Sequence, residues 1–340
     1  MKKKLLPALI VTGLIILVVI IMGITALINK YTPTKKTEDL KEYFNISSDD
    51  EAALIVDNEL SDYKAKIIDK KIYVDYKFVH DSLNSRFYWD ANENVLLYTT
   101  ASDIISAAAD SNSYSVTKQT NDFGYPIVKA TSDSALIALD YVKQYSNITF
   151  KSYDDPARIV ITSKWDEIDS ATVSKSTQVR VKGGIKSPIL KEVKKDDKIT
   201  ILDSGDKWDK VATEDGVIGY IKRKALSESK KTKLTNPDYE EETFTHIKKD
   251  KDICLAWNQV TSQSANSKVP QVISSTKGIN VMSPTWFYLN DNNGNLADIA
   301  SKDYVSYCHS QGIEVWGLFS NFENTDVDAA YVLTHTSTRT

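Results

Sequence analysis

Ile253-Cys254-Leu255-Ala256-Trp257, Ile279-Asn280-Val281-Met282 and Ile313-Glu314-Val315-Trp316-Gly317-Leu318 are the runs that decide the fold of the C-terminal part of this chain. Each is short, apolar and rich in β-branched or aromatic residues, the pattern of a buried strand. Their starts are 26 and 34 residues apart, a spacing that suits βα units of ~30 residues. A helical pattern over Lys302–Ser310 precedes the third run and ends at Gly312, where a C′ glycine belongs. From about residue 250 the chain therefore reads as the opening of a parallel α/β barrel. It supplies roughly a third of the ~250 residues that a closed (β/α)8 barrel takes.

Residues 228–247, lysine-rich at first and acidic later, with Asn236-Pro237 inside them, read as a solvated linker. Further upstream, over 170–227, short strand patterns at 179–181, 198–202, 208–212 and 217–221 are broken by Gly183-Gly184, Ser204-Gly205-Asp206 and Glu214-Asp215-Gly216. Such alternation predicts a small all-β barrel of hairpins. Over 38–165 the stretch Phe78-Val79, Asn84, Phe87, Leu96-Leu97-Tyr98 recurs without gaps as Tyr141-Val142, Asn147, Phe150, Ile159-Val160-Ile161. Each copy runs from a helical segment through an aromatic strand and a polar turn into an apolar strand, which makes an α+β repeat.

At the N-terminus, Lys2, Lys3 and Lys4 precede an uncharged run over 5–28. As a helix at ~1.5 Å per residue this run exceeds a hydrocarbon core of ~30 Å. It is also longer than the ~7–15 residues of a signal-peptide apolar region, so residues 1–28 are expected to form a retained single-pass anchor. The lysine end is expected in the cytoplasm and the large C-terminal portion outside, joined by a polar connector over 29–37. The 340 residues carry 26% charged and 41% hydrophobic positions and a net charge of −4. That composition suits several small cores, and it lacks the basic footprint of nucleic-acid binding. Two cysteines exclude a disulfide scaffold, and Cys254 and Cys308 are read as buried small hydrophobes. The four histidines, His80, His246, His309 and His335, have no short spacing that would converge on one metal ion, and no cofactor is implied.

Three resemblances add to this reading. Phe87-Tyr88-Trp89-Asp90 followed by Val95-Leu96-Leu97-Tyr98 resembles the copper amine oxidase N-terminal-like domain, a small module of exported bacterial proteins, without its implying copper chemistry. Trp208-Asp209-Lys210-Val211 with Asp215-Gly216-Val217-Ile218-Gly219-Tyr220-Ile221 looks like a bacterial SH3 domain. Such modules commonly bind cell-wall peptides, and Trp208 and Tyr220 are equally placed for that contact or for a core. Gly278-Ile279-Asn280-Val281-Met282-Ser283-Pro284-Thr285-Trp286-Phe287-Tyr288, with Tyr304-Val305, His309, Gly312 to Leu318 and Asn321-Phe322, resembles glycoside hydrolase family 18, in the branch of spore-cortex and cell-wall N-acetylglucosaminidases.

The last resemblance covers 250–340 and only the first three strands of that family's barrel. The family's catalytic signature, DxxDxDxE on the fourth strand, has no match in this sequence. Asn321-Phe322-Glu323 and the pair Asp326 and Asp328 are superficially similar, but the latter precede Ala329-Ala330-Tyr331-Val332-Leu333 and read as helix-capping residues. No catalytic residue is assigned. Strand ends face the active site of such barrels, so Trp257, Trp286, Tyr288, Asn321 and Phe322 are the candidates to line a sugar cleft, with packing the competing role for each. The resemblances together imply a membrane-anchored hydrolase of cell-wall glycan, chitin or peptidoglycan, represented by an incomplete copy that is expected to be inactive. The alternative is a non-enzymatic wall-binding or scaffold protein that acts through its SH3-like and amine-oxidase-like modules.

Overall fold

The computed structural model describes residues 2–245, 248–321 and 323–339. The chain is multidomain and rich in β-structure, with four sheets among the described residues following the long N-terminal helix Lys2–Tyr31. It divides into two compact units, Met1–Leu83 with Ile137–Glu240, and Asn84–Leu136 with Glu241–Thr340. The stretch 38–165, expected as one module, is thus shared between both units.

In the first unit the helix is apolar and exposed from Ile10 to Tyr31, long enough by itself to cross a bilayer. It does not run into a loose connector. Asn29 to Tyr31 are helical, Thr34 N–H donates to the Ile185 carbonyl at 2.8 Å, and Glu38 N–H donates to the Ile189 carbonyl at 2.8 Å. Residues 29–31 thus extend the helix, and the short irregular stretch 32–36 is hydrogen-bonded to the second sheet described below, which Thr37 joins by one parallel bridge to Ile189.

The repeat copies are legible in the pairing. Phe87–Asp90 pairs antiparallel with Val95–Thr99, placing Phe87 opposite Tyr98, and Thr149–Tyr153 pairs with Arg158–Thr162, placing Phe150 opposite Ile161. Both hairpins follow a short helical segment, Tyr76–Phe78 or Leu139–Gln144. The first copy continues in the second unit as an antiparallel meander through Ile104–Ala108, Ser113–Val116 and Gln119–Asp122. The second copy stays in the first unit, where Arg158–Thr162 lies parallel to Glu51–Val56.

A second sheet of the first unit holds, in spatial order, Ile189–Val193, Thr177–Arg180, Ile218–Lys222, Trp208–Thr213, Lys198–Asp203, Glu167–Thr172 and Lys230–Lys233. Residues 230–233 were expected as linker. They form an edge strand because their lysines face acids on Glu167–Thr172, with Lys231 Nζ 3.1 Å from Asp169 Oδ2. The two sheets share one core: Phe44, Ala53 and Ile55 pack in one cluster with Val179, Val211 and Val217. Gly216, at φ +82°, makes this contact possible, since a Cβ there would lie 2.8 Å from Val160 Cγ2.

In the second unit, Val281–Leu289 is the centre of a mixed sheet, parallel to Leu255–Asn258, Glu314–Val315 and Leu318–Ser320 and antiparallel to Leu296–Asp298. The helical segments 263–274 and Lys302–Ser310 connect these strands and cover a core of Val260, Val269, Met282, Trp286, Tyr304 and Cys308. The second helix is capped by the Ser301 hydroxyl and ends in a Schellman motif, with Ile313 N–H bonded to the Cys308 carbonyl and Gly312 N–H to the His309 carbonyl. Gly312 takes φ +73° there.

Candidate functional site

The sugar-cleft candidates separate in the structure. Trp257, on an edge strand, is 76% exposed. Trp286 is a core residue: its indole N–H donates to Asn266 Oδ1 at 2.8 Å, and its ring meets the Tyr304 ring edge-on at 5.1 Å. Its proposed place in a cleft is corrected accordingly, because strand alternation turns it onto the helices. Tyr288 is half-buried opposite Ala297 and Ser320, Asn321 is exposed, and Phe322 lies outside the described residues. Sequence reasoning passed over Trp316 and Phe319, exposed aromatics on the opposite edge of the same sheet.

The acids near this sheet serve local structure. Asp328 caps the helix Ala329–Thr334 by accepting from Tyr331 N–H at 2.9 Å, and Glu323 accepts from the Ser320 hydroxyl. Burial pushes the Tyr304 hydroxyl up to about 12 against the opposing hydrogen bond with Asn258, and pushes the Cys308 thiol up to about 11. Both groups are thereby neutral packing elements at ordinary pH. Cys254 is exposed, which corrects the expectation of burial: it lies just before the edge strand, where its backbone is hydrogen-bonded to Asn280 and Val281.

Of the histidines, His80 contacts Asp81 at 2.8 Å, while His335 lies against the Tyr331 carbonyl at 2.8 Å and stacks on its ring. Among the described residues no group of three or more histidine, cysteine or acidic side chains is arranged for a metal ion.

Trp208 and Tyr220 lie together on the outer face of the second sheet of the first unit. Trp208 is opposite Lys222 and Lys210 is opposite Tyr220 in register, so alternation puts all four on one face. Both rings are half-buried against Gly183, whose absent Cβ would lie 3.2 Å from Trp208 Cβ and 3.6 Å from Tyr220 Cδ1. Lys222 Nζ stands 5.8 Å from the Trp208 ring centroid. Beside them runs a groove of about 510 Å³ lined by Lys207, Trp208, Lys222, Arg223 and Lys224 together with Asp206 and Ile185. The aromatic pair was visible in the sequence; the cations around it come from two separate segments, Lys207 before one strand and Lys222-Arg223-Lys224 at the end of the next.

Another hollow of the first unit, about 520 Å³, is walled by Phe150, Val160, Ile168, Ile199 and several threonines. Beneath the second sheet, Asp215 is held by Arg158 and Lys191, each at 2.5 Å, and by the Thr213 hydroxyl at 2.6 Å. Burial raises the affinity of this carboxyl for a proton, but those hydrogen bonds and charges outweigh it and hold the group below the usual carboxylate range. Arg158 further donates to the carbonyls of Asp154, Pro156 and Asp215 itself. The cluster is a structural tie between the two sheets, with Arg158 spread over one carboxylate and three backbone carbonyls.

No protein-family model and no curated protein matches the chain. Among solved structures, NlpC1 from Trichomonas vaginalis is similar at 13% identity and a TM-score of 0.17, over 42% of this chain and 44% of that one. The chain thus spans less than half of that protein's length, and a likeness at this level carries no argument about fold or function.

Proposed function

We propose that this chain is part of a membrane-anchored, wall-facing protein of the glycoside hydrolase family 18 type, anchored by Lys2–Tyr31 and directed at an N-acetylglucosamine-containing polymer. The observation that supports it best is the parallel arrangement of Leu255–Asn258, Val281–Leu289 and Glu314–Val315 with helical segments between them, which is how the opening strands of a (β/α)8 barrel would run. Residues 170–227 then supply an SH3-like module, and 38–165 the amine-oxidase-like repeat. Trp257 is the aromatic best exposed to pack on a pyranose face; the half-buried Tyr288 and the exposed Asn321 rank as weaker contributors.

A non-enzymatic wall-binding role is the second reading, favoured by the local engagements of Glu323 and Asp328. Purified full-length chain titrated with chitooligosaccharides tests both. The proposal expects saturable binding weakened at least about fivefold by Trp257→Ala, the ~1 kcal/mol at which an interface residue counts. It expects no turnover, since the catalytic signature DxxDxDxE of the family it resembles has no match in this sequence. Absence of binding to chitooligosaccharides and to peptidoglycan fragments overturns the glycan reading. Turnover abolished by Glu323→Gln overturns the assignment of no catalytic residue.

A further inference from the structure

The helix end and the basic groove are neighbours. Lys186, adjacent in sequence to the groove's Ile185, donates to the Thr32 carbonyl at 2.7 Å and to the Asn29 carbonyl. Arg180 reaches the Thr34 carbonyl at 3.3 Å, and Thr34 N–H is fixed to Ile185. Only Thr32 and Pro33 separate the helical Tyr31 from Thr34, so that contact lies within ~10 Å of the helix end. Such a junction ties the second sheet to the helix end by several hydrogen bonds, so that, if the helix spans a bilayer, the sheet would stay close to its surface.

We propose that the groove beside Trp208 docks on the anionic phosphate headgroups of the bilayer that holds the helix. This rests on the reading of Lys2–Tyr31 as a retained membrane anchor. Four cations, Lys207, Lys222, Arg223 and Lys224, line the groove with one acid, Asp206, and Arg223 is 3.5 Å from the buried Asp209. Trp208 adds a ring with an apolar body and a polar N–H, the side chain that membrane interfaces favour. Lysines extend their stems along such a surface and place their charge among phosphates. The attraction decays within a Debye length, ~8 Å at physiological salt, so it operates only for a groove kept this close to the bilayer. The same placement argues for lipid over the wall peptide expected at Trp208 and Tyr220, and it holds whichever side of the membrane the groove occupies.

The test uses full-length protein in bilayers of phosphatidylcholine with and without phosphatidylglycerol, followed by amide hydrogen exchange. Segments 182–187, 206–210 and 219–224 are expected to exchange more slowly in the anionic bilayer, with the difference removed by high salt. Each of Lys207→Glu, Lys222→Glu and Lys224→Glu is expected to weaken the response to anionic lipid about fivefold or more, the factor carried by one cation near a charged surface. Equal exchange in both bilayers, in protein that alkaline carbonate does not extract, overturns the docking and leaves the anchor standing. Extraction by carbonate overturns the anchor and the docking with it. Slowed exchange with soluble peptidoglycan fragments but not with anionic lipid assigns the groove to the wall instead.

Discussion

Replacing Arg158 with methionine is expected to loosen the first unit by about 3 kcal/mol. Arg158 has a side chain 6% exposed and donates to the Asp215 carboxylate and to three backbone carbonyls, those of Asp154, Pro156 and Asp215. Removing one partner of a buried ion pair costs about 3–5 kcal/mol. The lower end applies because Lys191 stays within 2.5 Å of Asp215 and is a third exposed, so the carboxylate is not left alone. For a unit of this size, about 3 kcal/mol corresponds to a fall of roughly 6–12 °C in Tm. The assay is thermal unfolding of the full chain in detergent, read by near-UV circular dichroism, with amide exchange over 51–56 and 217–221 to locate the loss. Lys191→Met serves as the contrast: as a partly exposed partner it is worth less than about 1 kcal/mol. An Arg158→Met variant that melts within about 1 °C of wild type would refute the claim that this cluster ties the two sheets together.

Gly216→Ala is expected to destabilise the same unit by about 2–3 kcal/mol, because it forces a side chain at φ +82° into Val160 and Ile55; denaturant unfolding with an unchanged midpoint would contradict the close approach. Asp90→Ala in the second unit is expected to cost about 3 kcal/mol, since the buried Asp90 carboxylate accepts both the N–H and the hydroxyl of Thr336. Proteolysis is expected to release the 336–339 segment more readily in that variant, and unchanged cleavage counts against the contact. Burial opposes ionisation of both Asp90 and Asp215, but their hydrogen bonds prevail and each carboxyl is held below its usual range. Each therefore contributes stability that is present above the ordinary aspartate pKa of ~3.9 and lost as pH falls through the lower folded value. Acid titration of the wild type against Asp215→Asn is expected to show a shallower loss below pH ~4 in the variant, and parallel curves would rule the linkage out.

Much of the architecture is written in local patterns. The helix Lys302–Ser310 and its stop at Gly312, the two hairpins with Phe87 and Phe150 in equivalent register, and the parallel runs around Val281–Leu289 all follow from periodicity and turn chemistry within short windows. What escaped depends on partners distant in sequence. The lysine-rich 230–233 segment looks like solvated linker until the acids of Glu167–Thr172 are set beside it. Trp286 sits at a strand position that fits a cleft, and only Asn266 and Tyr304, from two connecting segments, show that it faces the core. The basic groove is invisible for the same reason, because Lys207, Lys222 and Lys224 meet across strand ends. Trp208 and Tyr220 kept two roles open in the sequence, and their half-burial against Gly183 explains why: one edge of each ring packs while the other stays accessible.

The account as a whole requires that the sheets beyond Tyr31 stand outside the cytoplasm, on a helix that stays in the membrane. Protease added to intact protoplasts, with an epitope placed after Thr340, measures this directly. Removal of the epitope while a cytoplasmic marker survives is the predicted result; full protection of the epitope, released only on lysis, would contradict it.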